Sequence, residues 1–295
     1  KMLDTVRCII TVPVDEKSIV RMIARVNSAI TRRLIALMET VEGISLPDGA
    51  AYLALGSEGR GEQTLRTDQD SAIVYPDGLS AEKLLEVNRF AARLVDALEA
   101  IGVPRCPGNV MASNPQWCHS ISQWKRLLEE WITVPTHENI LDFCLLQDLS
   151  SLHGDESLCT ELRDHIRATV HLPPFFFPNL ACHATRFPSP LTFFGRIRVE
   201  RSGEGRGRVD IKKSGIFAIT VGASLLALEA GVVGGNTWDK LALLGQRKIV
   251  TAGDLKKIEA AFSYLVRLRI QSQLRELAAG KIPTNFVDPQ EMTRA

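Results

Sequence analysis

The sequence predicts an α+β protein: a mixed β-sheet flanked by helices, followed by a mainly helical C-terminal domain with one β-hairpin. Three observations lead there. Short apolar runs bounded by turn residues, Ala51 to Leu55 and Ser71 to Tyr75, read as buried strands. The long stretches around them repeat apolar residues every three or four positions, the period of an amphipathic helix. Beyond a Pro-rich connection at Pro173, Pro174, Pro178, Pro188 and Pro190, a single pair of strand-like runs precedes long helical patterns. The domains are expected to meet near Thr160, giving residues 1–160, with a helical leader, and residues 161–295.

Composition narrows the class. A chain of 295 residues with 45% hydrophobic and 23% charged content can bury a substantial core without staples. The net charge of +1 supplies no global field for nucleic acid or an anionic membrane, so any basic site must be local. No run reaches the length of a membrane span and no secretion signal opens the chain, so the expected location is the cytoplasm. The six cysteines are scattered without metal spacing, which fits a reduced compartment.

In chain order, Ile19, Met22, Ile23, Val26, Ile30, Leu34, Leu37, Met38 and Val41 mark a leader helix with arginines on its other face. Leu46-Pro47-Asp48-Gly49 breaks it before the first strand. After the second strand, Ser80 caps a helix with its apolar stripe at Leu84, Val87, Ala91, Leu94, Val95 and Leu98, closed by Gly102. A loop rich in Pro, Gly and Asn follows, with one short strand expected at Asn109 to Ala112; Asn109, Asn114 and Trp117 are candidates for substrate contacts or for loop scaffolding. Ser120 to Ile132 is helical, with Trp124, Leu127, Leu128 and Trp131 on its core face. Ile140 to Leu149 is a buried strand or helix segment, expected to be the strand that completes the site, and Glu161 to Val170 is helical. Phe193 to Glu200 and Arg208 to Lys213 form the expected hairpin, with Arg196, Arg198, Arg208 and Lys212 on one face. Those four cations suit either a nucleotide triphosphate or a charged sheet edge. Helices over Ile216 to Ala230 and from Asp254 to Gly280 complete a bundle.

The chemistry is concentrated in AYLALGSEGRGEQTLRTDQDSAIVY, residues 51–75. A strand that ends in Gly56-Ser57 and turns into a helix leaves backbone N–H groups free to hold phosphate oxygens; the alternative is that Ser57 merely caps the helix. Alternation along the next strand puts Asp68 and Asp70 on one side, about 7 Å apart. Two carboxylates beside a phosphate-holding turn suit a hard cation that keeps waters and bridges to phosphates, as Mg²⁺ does, whereas an isolated Asp-x-Asp is more simply a solvated turn.

These residues carry a resemblance. Gly-Ser, then Arg, then Glu, then Thr-Asp-x-Asp at the head of an apolar strand resembles the signature of the DNA polymerase β type nucleotidyltransferases, in the branch of protein-PII uridylyltransferase and glutamine-synthetase adenylyltransferase. More narrowly, GSEGRGEQTLRTDQD is similar to the signature of a bacterial family of nucleotidyltransferase-like proteins of unknown function, and the likeness runs through nearly the whole chain. The resemblance implies a nucleotidyltransferase-type sheet in residues 1–160 and metal ligation by Asp68 and Asp70, with Mg²⁺ or Mn²⁺. It also implies a third carboxylate on a neighbouring strand. Asp148 lies where the narrow family carries Phe-Asp-x-Arg, although Ser150 replaces the Arg; Asp142 is the second choice. Gly56 and Ser57 would hold the pyrophosphate and Arg60 and Lys212 would neutralise phosphate. The relatives imply a nucleoside triphosphate donor, transfer of UMP or AMP to a protein side chain, and a role in signal transduction, often behind cyclic-nucleotide-binding and CBS domains. The alternative expectation is a nucleotide-binding regulatory module without turnover.

Other motifs fail. Gly56 to Gly61 has P-loop spacing, but Glu62 stands where Lys is required. The glycines from Gly203 to Gly207 have no strand-to-helix crossover around them, and no Gly-x-Ser-x-Gly elbow exists. A nucleic-acid-end transferase is disfavoured by the neutral charge and the lack of a basic, aromatic-studded groove.

Overall fold

The computed structural model describes residues 15–185, 191 and 197–292. Helix α1 (Glu16–Leu37) starts at Asp15, whose carboxylate accepts from the Ser18 N–H, and runs into a π-helical turn (Met38–Glu42) closed by Gly43. The sheet contains β1 (Ala51–Ala54), β2 (Ser71–Tyr75), β3 (Cys118–Ser120) and β4 (Ser150–Gly154) in the order β3-β2-β1-β4. It is mixed: β1 pairs antiparallel with β2 and β4, and β2 pairs parallel with β3. Both central strands are apolar almost throughout because both faces are covered.

Strand alternation divides the core. Leu53, Leu55, Ala72 and Val74 face helices α4 (Ile121–Thr133), α5 (His137–Leu146) and α6 (Glu156–Thr169), through Trp124, Phe143 and Leu162. Tyr52, Ala54 and Ile73 face the end of α1 and helix α3 (Ala81–Ala100), through Ile35, Phe90 and Leu94. A single-turn helix α2 (Gly56–Gly59) lies between β1 and β2. The Trp124 indole donates to the Ile73 carbonyl at 2.9 Å and pins α4 to the sheet.

In the second half, helix α7 (Phe176–Thr185) is followed by β5 (Val209–Asp210), a π-helical turn (Lys212–Ile216), and helices α8 (Phe217–Glu229), α9 (Thr237–Gln246) and α10 (Ala252–Ala278). Strand β6 (Phe286–Val287) ends the set. The halves share packing: Phe176, Leu180, Val221 and Leu228 belong to the same core as Leu53 and Val74. Ile19, Val20 and Ile23 of α1 pack with Ile216, Trp238, Phe262 and Val266, so the leader helix spans both halves.

Several local expectations change. Ile140 to Leu149 is mostly helix, and the strand expected there follows it as β4. Asn109 to Ala112 is not a strand, although the Val110 carbonyl accepts from the Ser71 N–H and Ser71 Oγ accepts from the Ala112 N–H. Residues 193–196 of the expected hairpin lie outside the described residues. Its second strand is shorter and differently paired than expected: Val209 and Asp210 pair with Val287 and Phe286. The Asp210 carboxylate then accepts from the Lys213 N–H, turning the chain into a helix two residues into the run. Lys212 and Arg208 consequently part company, and Arg208 pairs with Glu276. Thr160 lies inside α6, and helix α9 went unforeseen.

Candidate functional site

The Asp-x-Asp segment is held in place from both sides. The Leu55 N–H at the end of β1 donates to the Asp70 carbonyl at 2.9 Å, and the Gln69 N–H donates to Pro104 at 3.1 Å. The loop after α3 thus runs alongside residues 69–71 and delivers Cys106. One ligand atom from each of Asp68, Asp70 and Cys106 lies within 4.8 Å of the other two. The strand proper begins only at Ser71, yet the alternation expected from the sequence carries through to the aspartates.

Gly56 sits against this pair. Its φ of +52° lies in the left-handed region, and a Cβ added there would come 3.3 Å from Asp70 Oδ2. Ser57 does not cap its helix: the cap position is Leu55, and among the described residues the Ser57 hydroxyl makes no hydrogen bond. The N–H groups of Gly56 and Ser57 likewise have no backbone acceptor among the described residues. The turn therefore leaves donors free at its start.

Gly56, Ser57, Arg60, Asp70, Asp148 and Lys212 line one cavity of about 140 Å³, and Asp68 adjoins it through Asp70. The cations differ in freedom. Arg60 donates from Nε to Glu62 Oε2 at 2.9 Å and from Nη1 to Asp148 Oδ2 at 2.7 Å. Lys212, carried in by the π-helical turn, has no ion pair among the described residues and lies close enough to influence Asp70 electrostatically.

Asp148 is a buried anchor. Its other oxygen accepts from Lys240 Nζ at 2.5 Å, and Lys240 also donates to Ser224 Oγ at 2.7 Å. Both carboxylate oxygens are engaged by cations, and the third group gathered with Asp68 and Asp70 is Cys106 instead. Asp142, the second choice, is not in that group; burial raises its carboxyl above the ordinary value. Asn114 caps a 3₁₀ turn and Trp117 is buried in the core, so both serve the scaffold.

The electrostatics set the two carboxylates against each other. Burial, and then the charge of Asp68, raise the Asp70 carboxyl above its ordinary value; the Cys106 hydrogen bond, Lys212 and Arg60 act in the other direction. A bound divalent ion would relieve the repulsion. Two carboxylates leave room for the waters and phosphate oxygens that Mg²⁺ prefers; the Cys106 thiol, raised to about 11 mainly by burial, is a poor ligand for so hard an ion. Cys106 and Arg269 escaped sequence reasoning. Arg269 lies near Asp68, and burial lowers it to about 10 although Asp68 and Asp210 oppose the shift. It is 201 positions from Asp68 in sequence (269 − 68), so no local pattern could have found it.

Residues 2–138 match the family model described as Putative nucleotidyltransferase DUF294, and residues 174–295 match one described as Putative nucleotidyltransferase substrate binding domain. A comparison with curated proteins finds no match. The first matched segment carries the Asp-x-Asp pair with its Gly-Ser turn, and the second carries Lys212, which lines the same cavity, and Lys240, which pairs with Asp148. The chain belongs to the DUF294 family of nucleotidyltransferase proteins, joining a nucleotidyltransferase domain to a substrate-binding domain.

Proposed function

We propose that this chain transfers a nucleoside monophosphate from a nucleoside triphosphate to an acceptor hydroxyl, with Mg²⁺ held by Asp68 and Asp70. The single observation behind this reading is the convergence of those carboxylates beside a Gly-Ser turn with unused N–H and O–H donors. The turn and Lys212 would hold the β- and γ-phosphates. The acceptor oxygen forms a bond to the α-phosphorus as the bond to the bridging oxygen breaks, the hydroxyl proton passes to solvent, and pyrophosphate leaves. When bound, Mg²⁺ supplies charge neutralisation for the phosphates and the leaving group. Arg60, already shared by Glu62 and Asp148, keeps the turn in shape. The likeness of the Gly-Ser, Arg, Glu and Thr-Asp-x-Asp pattern to the branch of protein-PII uridylyltransferase and glutamine-synthetase adenylyltransferase supports a protein side chain as acceptor and UMP or AMP as the group moved.

One observation favours a second reading, a nucleotide-binding regulatory module: Asp148 is engaged by two cations, and among the described residues the pair has no third carboxylate in its cluster. Purified protein incubated with Mg²⁺ and each labelled nucleoside triphosphate separates the two. Pyrophosphate release with label on a protein is expected; tight Mg-dependent binding without turnover across a broad acceptor panel would favour the regulatory module.

A further inference from the structure

A second, larger cavity of about 530 Å³ lies across the sheet from the aspartate pair, within the size range of small-molecule sites. Its position follows from alternation. Asp68 and Asp70 share the side of Ala72 and Val74, whereas Gln69 shares the side of Ile73 and packs towards Tyr52, which also lines the cavity. Much of its wall is carbon, and Ile101 and Ile282, 50% and 76% exposed, stand among its lining residues.

Two acceptors in this wall lack donors. The Gln69 amide nitrogen donates to the carbonyls of Val95 at 3.2 Å and Val103 at 2.9 Å, which fixes which way the amide points. Its Oε1 is then left buried with no partner among the described residues. The Glu58 carboxyl, next to Ser57 in the same short turn, makes no hydrogen bond or ion pair among the described residues. Burial and then the charge of Asp70 raise it to about 7, as expected of a carboxyl without a cation. Gln69 Oε1 is thus a buried acceptor without a donor, which is costly and uncommon in folded proteins, while the half-buried Glu58 carboxyl lines the cavity.

We propose that this cavity binds a small molecule with an apolar body and one edge of N–H donors, of the aminoheterocycle or amidine class, its donors meeting Glu58 and Gln69. Among the described residues Arg66 is the only cation in the wall, and it donates to the Pro283 carbonyl at 2.6 Å. Binding here needs neither the metal pair nor turnover, so it stands or falls apart from the transfer reaction.

The test uses the full chain with 2-aminobenzimidazole as probe and 2-methylbenzimidazole as its shape-matched control, read by ligand-observed NMR and calorimetry. Saturable binding of the amino compound is expected, at least tenfold tighter than that of the methyl compound. Glu58→Leu and Ile101→Trp are each expected to weaken it tenfold or more. No saturable binding, equal affinity for the two probes, or unchanged affinity in either folded variant would overturn the proposal. If Glu58→Leu fails to fold, the probe comparison on the parent protein decides.

Discussion

Asp70 is the residue on which the transfer reading turns, and its partner Asp68 was legible because a period of two is the most local pattern a strand has. Replacing Asp70 by Asn removes a charge that burial and Asp68 already disfavour, so the fold is expected to persist while Mg-dependent nucleotide binding is lost. Circular dichroism and a Mg-NTP titration check this, and parent-like binding would refute the metal assignment. Lys212→Ala removes a charge-assisted contact of about 1.5–3 kcal/mol, so Mg-NTP should bind roughly ten- to a hundredfold more weakly. Glu58 makes a prediction about pH. Its folded value of about 7 exceeds its ordinary 4.5, so the folded chain holds this proton longer than the unfolded one. Stability from this group is therefore fully present below about 4.5 and is lost as pH rises through about 7. Denaturant titrations of Glu58→Gln and the parent at pH 4.5 and pH 8 should show the variant gaining relative to the parent at the higher pH.

Among elements, the helices were the most readable. The stripes of α1, α3, α4 and α10 repeat over several turns, and caps such as Ser80 and Ser120 sit beside them in sequence. The hairpin misled because strand-like residues at Val209 and Ile211 do not specify a partner; β6 lies more than seventy positions away. The short turn α2 carries a demand that no pattern reveals. A Cβ on Gly59 would stand 2.0 Å from the Asp148 carbonyl oxygen, far nearer than a non-bonded carbon can approach. Gly59→Ala should therefore cost about 1–3 kcal/mol in urea denaturation as the backbone is forced apart. Helix α9 is tied to the same turn: the Glu62 carboxylate accepts from the Thr237 N–H at its start, and Lys240 reaches Asp148. Lys240→Met leaves Asp148 with Arg60 alone at 1% side-chain exposure, and should destabilise by about 3 kcal/mol. Adding Asp148→Asn should recover part of that loss, because the unpaired charge goes with it.

At the scale of the whole molecule, the two matched segments meet around the Arg60, Glu62, Asp148 and Lys240 charges and share one apolar core. Unfolding should accordingly be cooperative across both. Single-tryptophan variants retaining Trp124 in the first half or Trp238 in the second should report coincident denaturation midpoints, and separated midpoints would mean that the halves unfold independently. Local order along the chain was enough to predict the α+β class, the leader helix, the convergence of Asp68 and Asp70, and the free turn at Gly56 and Ser57, since each depends on neighbours within a few positions. Folding in three dimensions decided that Asp148 is bound between two cations, that Cys106 and Arg269 stand beside the aspartates, that Lys212 leaves its strand, and that a second cavity opens behind Gln69. Each of these depends on which distant segment supplies a charge, a donor or a wall, and pairing at long range leaves no periodic trace in the residues it joins.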